Sequence, residues 1–240
     1  MGSTRLPGKV MMDLAGKPML ERDVRRLQRS GTLTEIVVAT TVEPQDLAIV
    51  QFCEKLGWPW FRGSQDDVLD RYYKAAVSFR ADVVVRVTSD CPLIEPTVVD
   101  LVVQEFLANQ DRLDYVCNRL PVPTFPVGLD TEVFSLQALE RAWKEDNNPA
   151  WREHVTPYMY LPQGLFRIAG VSNDVNLSHM RWTVDTVEDL TFVRKIYDHF
   201  GHGEFSWRDV LSLLEENPEW LEINRHVVQK TVSLQDSSGE

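Results

Sequence analysis

Near its start the chain reads Gly2-Ser3-Thr4-Arg5-Leu6-Pro7-Gly8-Lys9, with two glycines, two hydroxyls and two cations in eight residues. Glycines let backbone N–H groups converge on an anion, and cations offset charge that amides neutralise only in part, so this composition suits a loop that holds phosphate. Arg5 would serve as a planar fork for phosphate oxygens and Lys9 as a mobile point charge. A basic, frayed terminus has the same composition, and the sequence leaves both readings open. Two nucleotide motifs are excluded. Gly2 and Gly8 are six apart and Val10 follows Lys9, which breaks the G-x-x-x-x-G-K-[ST] pattern, and no G-x-G-x-x-G occurs.

Two aspartates have matching placements. Asp90 stands just past the β-branched run VVVRVT at 83–88, where ligands of open α/β sheets gather. A carboxylate there can hold a hard divalent cation that in turn holds phosphate, and the spacing to Pro92 equally suits a turn or helix cap. Asp185 follows RWTV at 181–184 and leads into an apolar helical stretch, where Asp185 or Thr186 would cap and Asp189 would favour the first turn. Asp90 and Asp185 together are the pair that would place a metal between protein and triphosphate. Gly128, Asp130 and Glu132 alternate along a short strand, which puts the two acids on one face of a polar pocket. Arg152 opens a helix, where it would meet a substrate carboxylate or salt-bridge its own helix start.

Other chemistries find no support. The histidines at 154, 179, 199, 202 and 226 make no zinc spacing and no H-E-x-x-H. G-x-S-x-G is absent, and Cys91 has no basic partner in sequence, which makes it a buried structural thiol rather than a nucleophile.

The elements that must position these residues follow from periodicity. Apolar residues at helical spacing predict helices over 17–30, 44–56, 65–79, 95–107, 135–145, 187–200 and 206–215; strands are expected at 35–41, 58–61, 83–88, 129–134, 165–171 and 181–184. Strand and helix alternating through short connections predict an α/β fold with a doubly wound, mostly parallel sheet. The three prolines of 114–128 predict a loop or edge excursion there.

The chain has 240 residues and a net charge of −11, which disfavours nucleic acid and anionic membrane as partners. Seven Lys or Arg face three Asp or Glu within residues 1–30, a local +4, and Arg22, Arg25, Arg26 and Arg29 read as the solvated basic face of the first helix. Cys53, Cys91 and Cys117 are few, scattered and odd in number, as in a reducing compartment. No apolar run is long enough for a membrane span, so the expected location is the cytoplasm. One domain over 1–227 and a polar tail over 228–240 are expected.

The segments at 1–20, TSDCPLI at 88–94, GLDTEVF at 128–134, REHVTPY at 152–158 and RWTVDTVEDLTFVRKIY at 181–197 together resemble the cytidylyltransferases, including acylneuraminate and 3-deoxy-manno-octulosonate enzymes, with the spore coat polysaccharide branch nearest. The resemblance implies a three-layer nucleotide-diphospho-sugar-transferase-like architecture. It further implies transfer of CMP from CTP to a sugar or sugar-acid hydroxyl with release of pyrophosphate, and a homodimer. By that resemblance Arg5 and Lys9 grip the triphosphate and Asp90 and Asp185 hold Mg2+. Gly2 and Ser3 then lie near the nucleotide, while Gly128, Asp130, Glu132 and Arg152 shape the acceptor pocket. Relatives carry a hydrophobic strand and Ala-Arg before Met-Gly-Ser, so a domain without its usual first strand is expected, and Val127 stands where relatives often have a charge. A glycosyltransferase using sugar nucleotides, and a non-catalytic binding protein, are the competing readings.

Overall fold

A computed structural model describes residues 1–3 and 5–229; the part of the expected tail from residue 230 onward lies outside the described residues. Four-residue runs of apolar and β-branched residues form the strands β1 (Val38–Thr41), β2 (Trp60–Gly63) and β3 (Val83–Arg86). β4 (Tyr115–Cys117), β5 (Glu132–Ser135) and β6 (Ile168–Gly170) follow. The helices are α1 (Met19–Leu27), α2 (Leu47–Leu56), α3 (Val68–Ser78), α4 (Pro96–Ala108), α5 (Leu136–Glu145), α6 (Pro149–His154), α7 (Pro157–Tyr160), α8 (Val187–Phe200) and α9 (Trp207–Glu216). Their starts have local causes. Pro96 occupies the first turn of α4, Ser135 accepts from the Ala138 N–H at the head of α5, and Thr186 with Asp189 closes a reciprocal cap on α8.

β1 and β2 pair in parallel, Val38 opposite Trp60. The other four strands run in the order β3-β5-β4-β6, with β4 and β6 parallel and β5 antiparallel to both of its neighbours. Alternation along β4 and β5 divides the core into layers. Tyr115, Cys117 and Phe134 pack with Leu69 of α3 and Leu139 of α5, whereas Val116 and Val133 pack with Val99 and Val103 of α4. Helices therefore cover both faces of the sheet.

Three expectations are corrected. Tyr115–Cys117 form a strand inside the four-stranded sheet, because Pro121, Pro123 and Pro126 all lie beyond its end and deprive it of no ladder donor. Residues 181–184 form no strand and contribute a single bridge, Arg181 to Val127. The first helix has no uniform basic face: Arg25 and Arg29 are exposed, but Arg26 is 1 % exposed. It donates to the carbonyls of Ile94 (2.6 Å), Gly203 (2.8 Å) and Phe205 (3.0 Å) and to Glu95 (3.2 Å). Arg22 is likewise buried, donating to the Leu14 and Ala15 carbonyls.

The two sheets face each other across a gap. Between the edges of β1 and β3 lies a cavity of about 730 Å³, with Leu20 and Val24 of α1 and Ala75 and Ala76 of α3 in its lining. Its polar lining includes Asp23, Arg71 and Arg86. Both Asp23 carboxylate oxygens and the Nε atoms of Arg71 and Arg86 have no hydrogen-bond partner.

Candidate active site

Two loops bring the charged residues together. A short 3₁₀ turn (Lys9–Met11) begins after Gly8, whose φ of 70° lies in the left-handed region, and this reversal directs the Lys9 side chain inward. Past the end of β3, Asp90 lies in a turn and accepts from the Thr88 hydroxyl (2.5 Å). Asp185 immediately precedes the cap of α8, and its N–H donates to the Asp189 carboxylate (2.9 Å).

Lys9 sits among three oxygens. Its ammonium donates to Asp90 Oδ2 (2.9 Å), Asp185 Oδ1 (2.9 Å) and the Val184 carbonyl (2.7 Å). Arg5 reaches Asp185 Oδ2 at 2.9 Å, so the four residues singled out as a phosphate and metal set form one continuous ionic chain. Burial pulls the Lys9 pKa down, but Asp90 and Asp185 outweigh it and hold the ammonium above its ordinary 10.5. Burial pushes the Asp185 carboxyl up, and the cations Lys9, Arg181 and Arg5 overcome this to hold it below its ordinary 3.8.

Arg181 is the residue that sequence reasoning missed. It donates to Asp185 Oδ2 (2.7 Å) and to both oxygens of the fully buried Asp189 (2.9 and 3.0 Å). That grip fixes the Asp185 carboxylate with Oδ1 turned toward Lys9. The only signal was spacing: Arg181 precedes Asp185 by four residues and Asp189 by eight.

Backbone contacts explain how residues far apart in sequence meet. The Val127 N–H donates to the Met180 carbonyl (2.9 Å), the Trp182 N–H to Val127 (2.7 Å) and the Val184 N–H to the Asp90 carbonyl (2.8 Å). Gly128 makes this approach possible. Its φ is 109°, and a Cβ there would meet Thr183 N at 2.7 Å and Trp182 C at 2.8 Å. Gly128 thus lets its own segment close on residues 182–183, and the neighbouring Val184 N–H ties the stretch that carries Asp185 to the loop that carries Asp90.

The remaining candidates are spread more widely. Ser3 Oγ accepts from the Leu6 N–H (3.3 Å), which folds the opening loop on itself, and Gly2 is exposed. Asp130 accepts from Arg119 (2.9 Å) and from the Gly128 N–H (3.1 Å). Glu132 accepts from Arg86, from the Tyr115 hydroxyl (2.7 Å) and from the Thr156 hydroxyl (2.6 Å). The strand expected to carry Gly128, Asp130 and Glu132 in alternation begins only at Glu132, because the Asp130 carboxylate turns back to the Gly128 N–H, and the two acids answer to different arginines. Arg152 is anchored by Asp67 (2.9 Å), which caps α3, and by the carbonyls of Trp143 (3.0 Å) and Asp146 (2.8 Å), so its ion pair is with another helix and not with its own helix start. Burial first and the Asp90 charge second hold the Cys91 thiol well above its ordinary 9.0, which keeps it protonated.

Among the described residues no group of three or more His, Cys, Asp or Glu converges as a metal cage. Asp90 and Asp185 nonetheless direct one oxygen each at a single cation, here the Lys9 ammonium. Two carboxylates completed by substrate phosphates are the usual donor set for Mg2+, so these residues fit that ion.

Helices on both faces of a mixed sheet, with cations and paired carboxylates beyond a strand end, define an α/β protein of the nucleotidyltransferase type. The cytidylyltransferase family model matches residues 1–200, and the chain belongs to that family. It is similar to a cytidylyltransferase structure from Leptospira borgpetersenii, with a TM-score of 0.89 and 34% identity over 96% of this chain and 95% of that one. It is also 38% identical to an uncharacterized protein of Methanocaldococcus jannaschii, covering 96% of this chain and 93% of the relative. The spore coat polysaccharide biosynthesis protein SpsF of Bacillus subtilis is 29% identical over 91% of this chain and 92% of its own length.

Proposed function

We propose that the protein transfers the CMP group of CTP to a hydroxyl of a sugar or sugar acid in surface polysaccharide or glycoconjugate synthesis. The observation that carries this reading is the convergence of Arg5, Lys9, Asp90 and Asp185 at one point beside the opening loop, in a chain whose family is the cytidylyltransferases. In the reaction the acceptor hydroxyl oxygen forms a bond to the α-phosphorus. The bond from that phosphorus to the α,β-bridging oxygen breaks, pyrophosphate leaves with the electron pair, and the hydroxyl proton passes to solvent.

No covalent enzyme intermediate is required, so positioning and charge supply the rate. Arg5, with 31 % of its side chain exposed, lies on the surface side of the cluster and is placed to pair with phosphate oxygens. Lys9, on a flexible stem, follows charge onto the leaving pyrophosphate. Arg181 acts through Asp185 as a positioning residue. A Mg2+ ion held by Asp90 and Asp185 would neutralise the triphosphate as it accumulates charge.

The test is pyrophosphate release from CTP and Mg2+ with a panel of sugars and sugar acids. Asp90→Asn and Asp185→Asn are each expected to lower release by about a hundredfold or more. Full activity in both variants would remove the metal assignment. Thermal-shift comparison of CTP with sugar nucleotides separates this reaction from glycosyl transfer, because only the nucleotide that the native state binds will raise its melting temperature.

A further inference from the structure

The Asp185 and Asp90 carboxylates divide their oxygens in a particular way. Asp185 Oδ2 is taken by Arg5 and Arg181, and Asp90 Oδ1 accepts from the Thr88 hydroxyl. One oxygen of each acid remains, Asp185 Oδ1 and Asp90 Oδ2, and both are filled by the same Lys9 ammonium. The third N–H of that ammonium goes to the Val184 carbonyl, so all three of its donors are spent inside the cluster.

We propose that Lys9 is a built-in substitute cation. Its ammonium fills the position between Asp90 and Asp185 in the nucleotide-free protein, and a divalent cation takes that position only when Lys9 leaves it. The inference rests on reading Asp90 and Asp185 as the metal carboxylates and adds what their neighbour does.

Simple sterics and charge support the exclusion. A divalent ion bonded to the same two oxygens would lie about 2.1 Å from each, inside the space the ammonium fills at 2.9 Å. Two cations in contact there would also repel. Of the three cationic side chains on the two acids, Lys9 is the one that stands between them. Arg181 is locked by both oxygens of Asp189, and Arg5 lies on the opposite oxygen of Asp185. A four-carbon stem on a backbone fixed by the 3₁₀ turn lets the ammonium swing while the loop stays in place. An arriving triphosphate gives the displaced ammonium a new anion, so nucleotide and metal enter cooperatively through this one side chain. Before that, two carboxylates are not left facing each other across an empty gap.

The experiment measures Mn2+ binding without nucleotide, by the electron paramagnetic resonance of free Mn2+, for the wild type, Asp90→Asn, Lys9→Met and Lys9→Met/Asp90→Asn. The expected result is Mn2+ binding at least tenfold tighter in Lys9→Met than in the wild type, and lost in the double variant. Equal affinity in the wild type and Lys9→Met, both sensitive to Asp90→Asn, would overturn the substitute-cation role and leave the metal carboxylates intact. Binding by neither protein, or binding indifferent to Asp90→Asn, would overturn the metal assignment itself and this inference with it. A second readout uses only the wild type: acetylation of Lys9 by acetic anhydride, followed by mass spectrometry with Lys17 as internal reference. Mn2+ is expected to raise the Lys9 rate severalfold; an unchanged rate under Mn2+ saturation overturns the proposal even where Lys9→Met fails to fold.

Discussion

Two charged regions flank β3 and are treated in opposite ways. Beyond its C-terminal end, Lys9, Asp90, Asp185, Arg181 and Asp189 form a cluster in which each of these acids and cations has an ionic partner. Along its edge, in the cavity facing β1, Asp23 has no hydrogen-bond partner for either oxygen, and one nitrogen each of Arg71 and Arg86 is unpartnered. Asp23 is almost wholly buried while Asp90 and Asp185 are partly exposed, and of the three Asp23 alone lacks a partner, so burial and pairing together set the regions apart. Paired, the Asp185 carboxyl is held below its ordinary range; unpaired, Asp23 is pushed well above it by burial first and by the Asp90 charge second. Desolvation alone decides the protonation of a buried acid until an opposite charge with good geometry reverses the outcome.

Removing the central cation should convert the first region into something like the second. Lys9→Met leaves Asp90 and Asp185 facing each other without a cation between them, and the expected loss is about 3 kcal/mol of unfolding free energy, read from urea denaturation. A loss near zero would mean that the cluster is not held together by charge. Gly128→Ala attacks the same region through the backbone, since the added Cβ would press on the Thr183 and Trp182 main chain at a φ of 109°. It should cost about 2 kcal/mol and lower pyrophosphate release more than an Ala substitution at the exposed Gly164, where a Cβ meets nothing within 4 Å.

The smallest expected effects are in pH dependence, where the regions carry opposite signs. Asp23 has a folded pKa above the unfolded 3.8, so between those values the native state binds the extra proton. Stability falls as pH rises through that window. Asp185 has a folded pKa below 3.8, so its contribution is complete above 3.8 and is lost as pH falls through the lower value. Asp23→Asn should therefore flatten the decline toward neutral pH and gain about 1 kcal/mol at pH 7, while Asp185→Asn should flatten the acid limb. Unfolding curves at a series of pH values check both; slopes of the same sign would break the contrast.

Much of the scaffold was legible because its signals are local. The VVVR run, Pro96 at the start of α4, and the Thr186 and Asp189 cap on α8 each announce themselves within a few residues. The misread segments depend on distant partners. Tyr115–Cys117 is a strand because β5 and β6 flank it, and the burial of Arg26 follows from carbonyls that stand 68 to 179 residues away along the chain. Residues 181–184 look like a strand but form only one bridge, because Gly128 draws them against a loop instead of a sheet edge.

The candidate site divides in the same way. Residue types and their places along the chain brought Arg5, Lys9, Asp90 and Asp185 forward as candidates, while a basic terminus and a turn or helix cap fitted the same residues equally well. Sequence alone also determined the family, through motifs kept in order from residue 1 to 200. Only the tertiary structure decided which charge meets which. Lys9 lies 81 residues from Asp90 and 176 from Asp185 along the chain, and Arg181 acquires its role by gripping Asp185 in space. Ion pairing acts over a few ångströms whatever the separation in sequence, so the fold alone determines it.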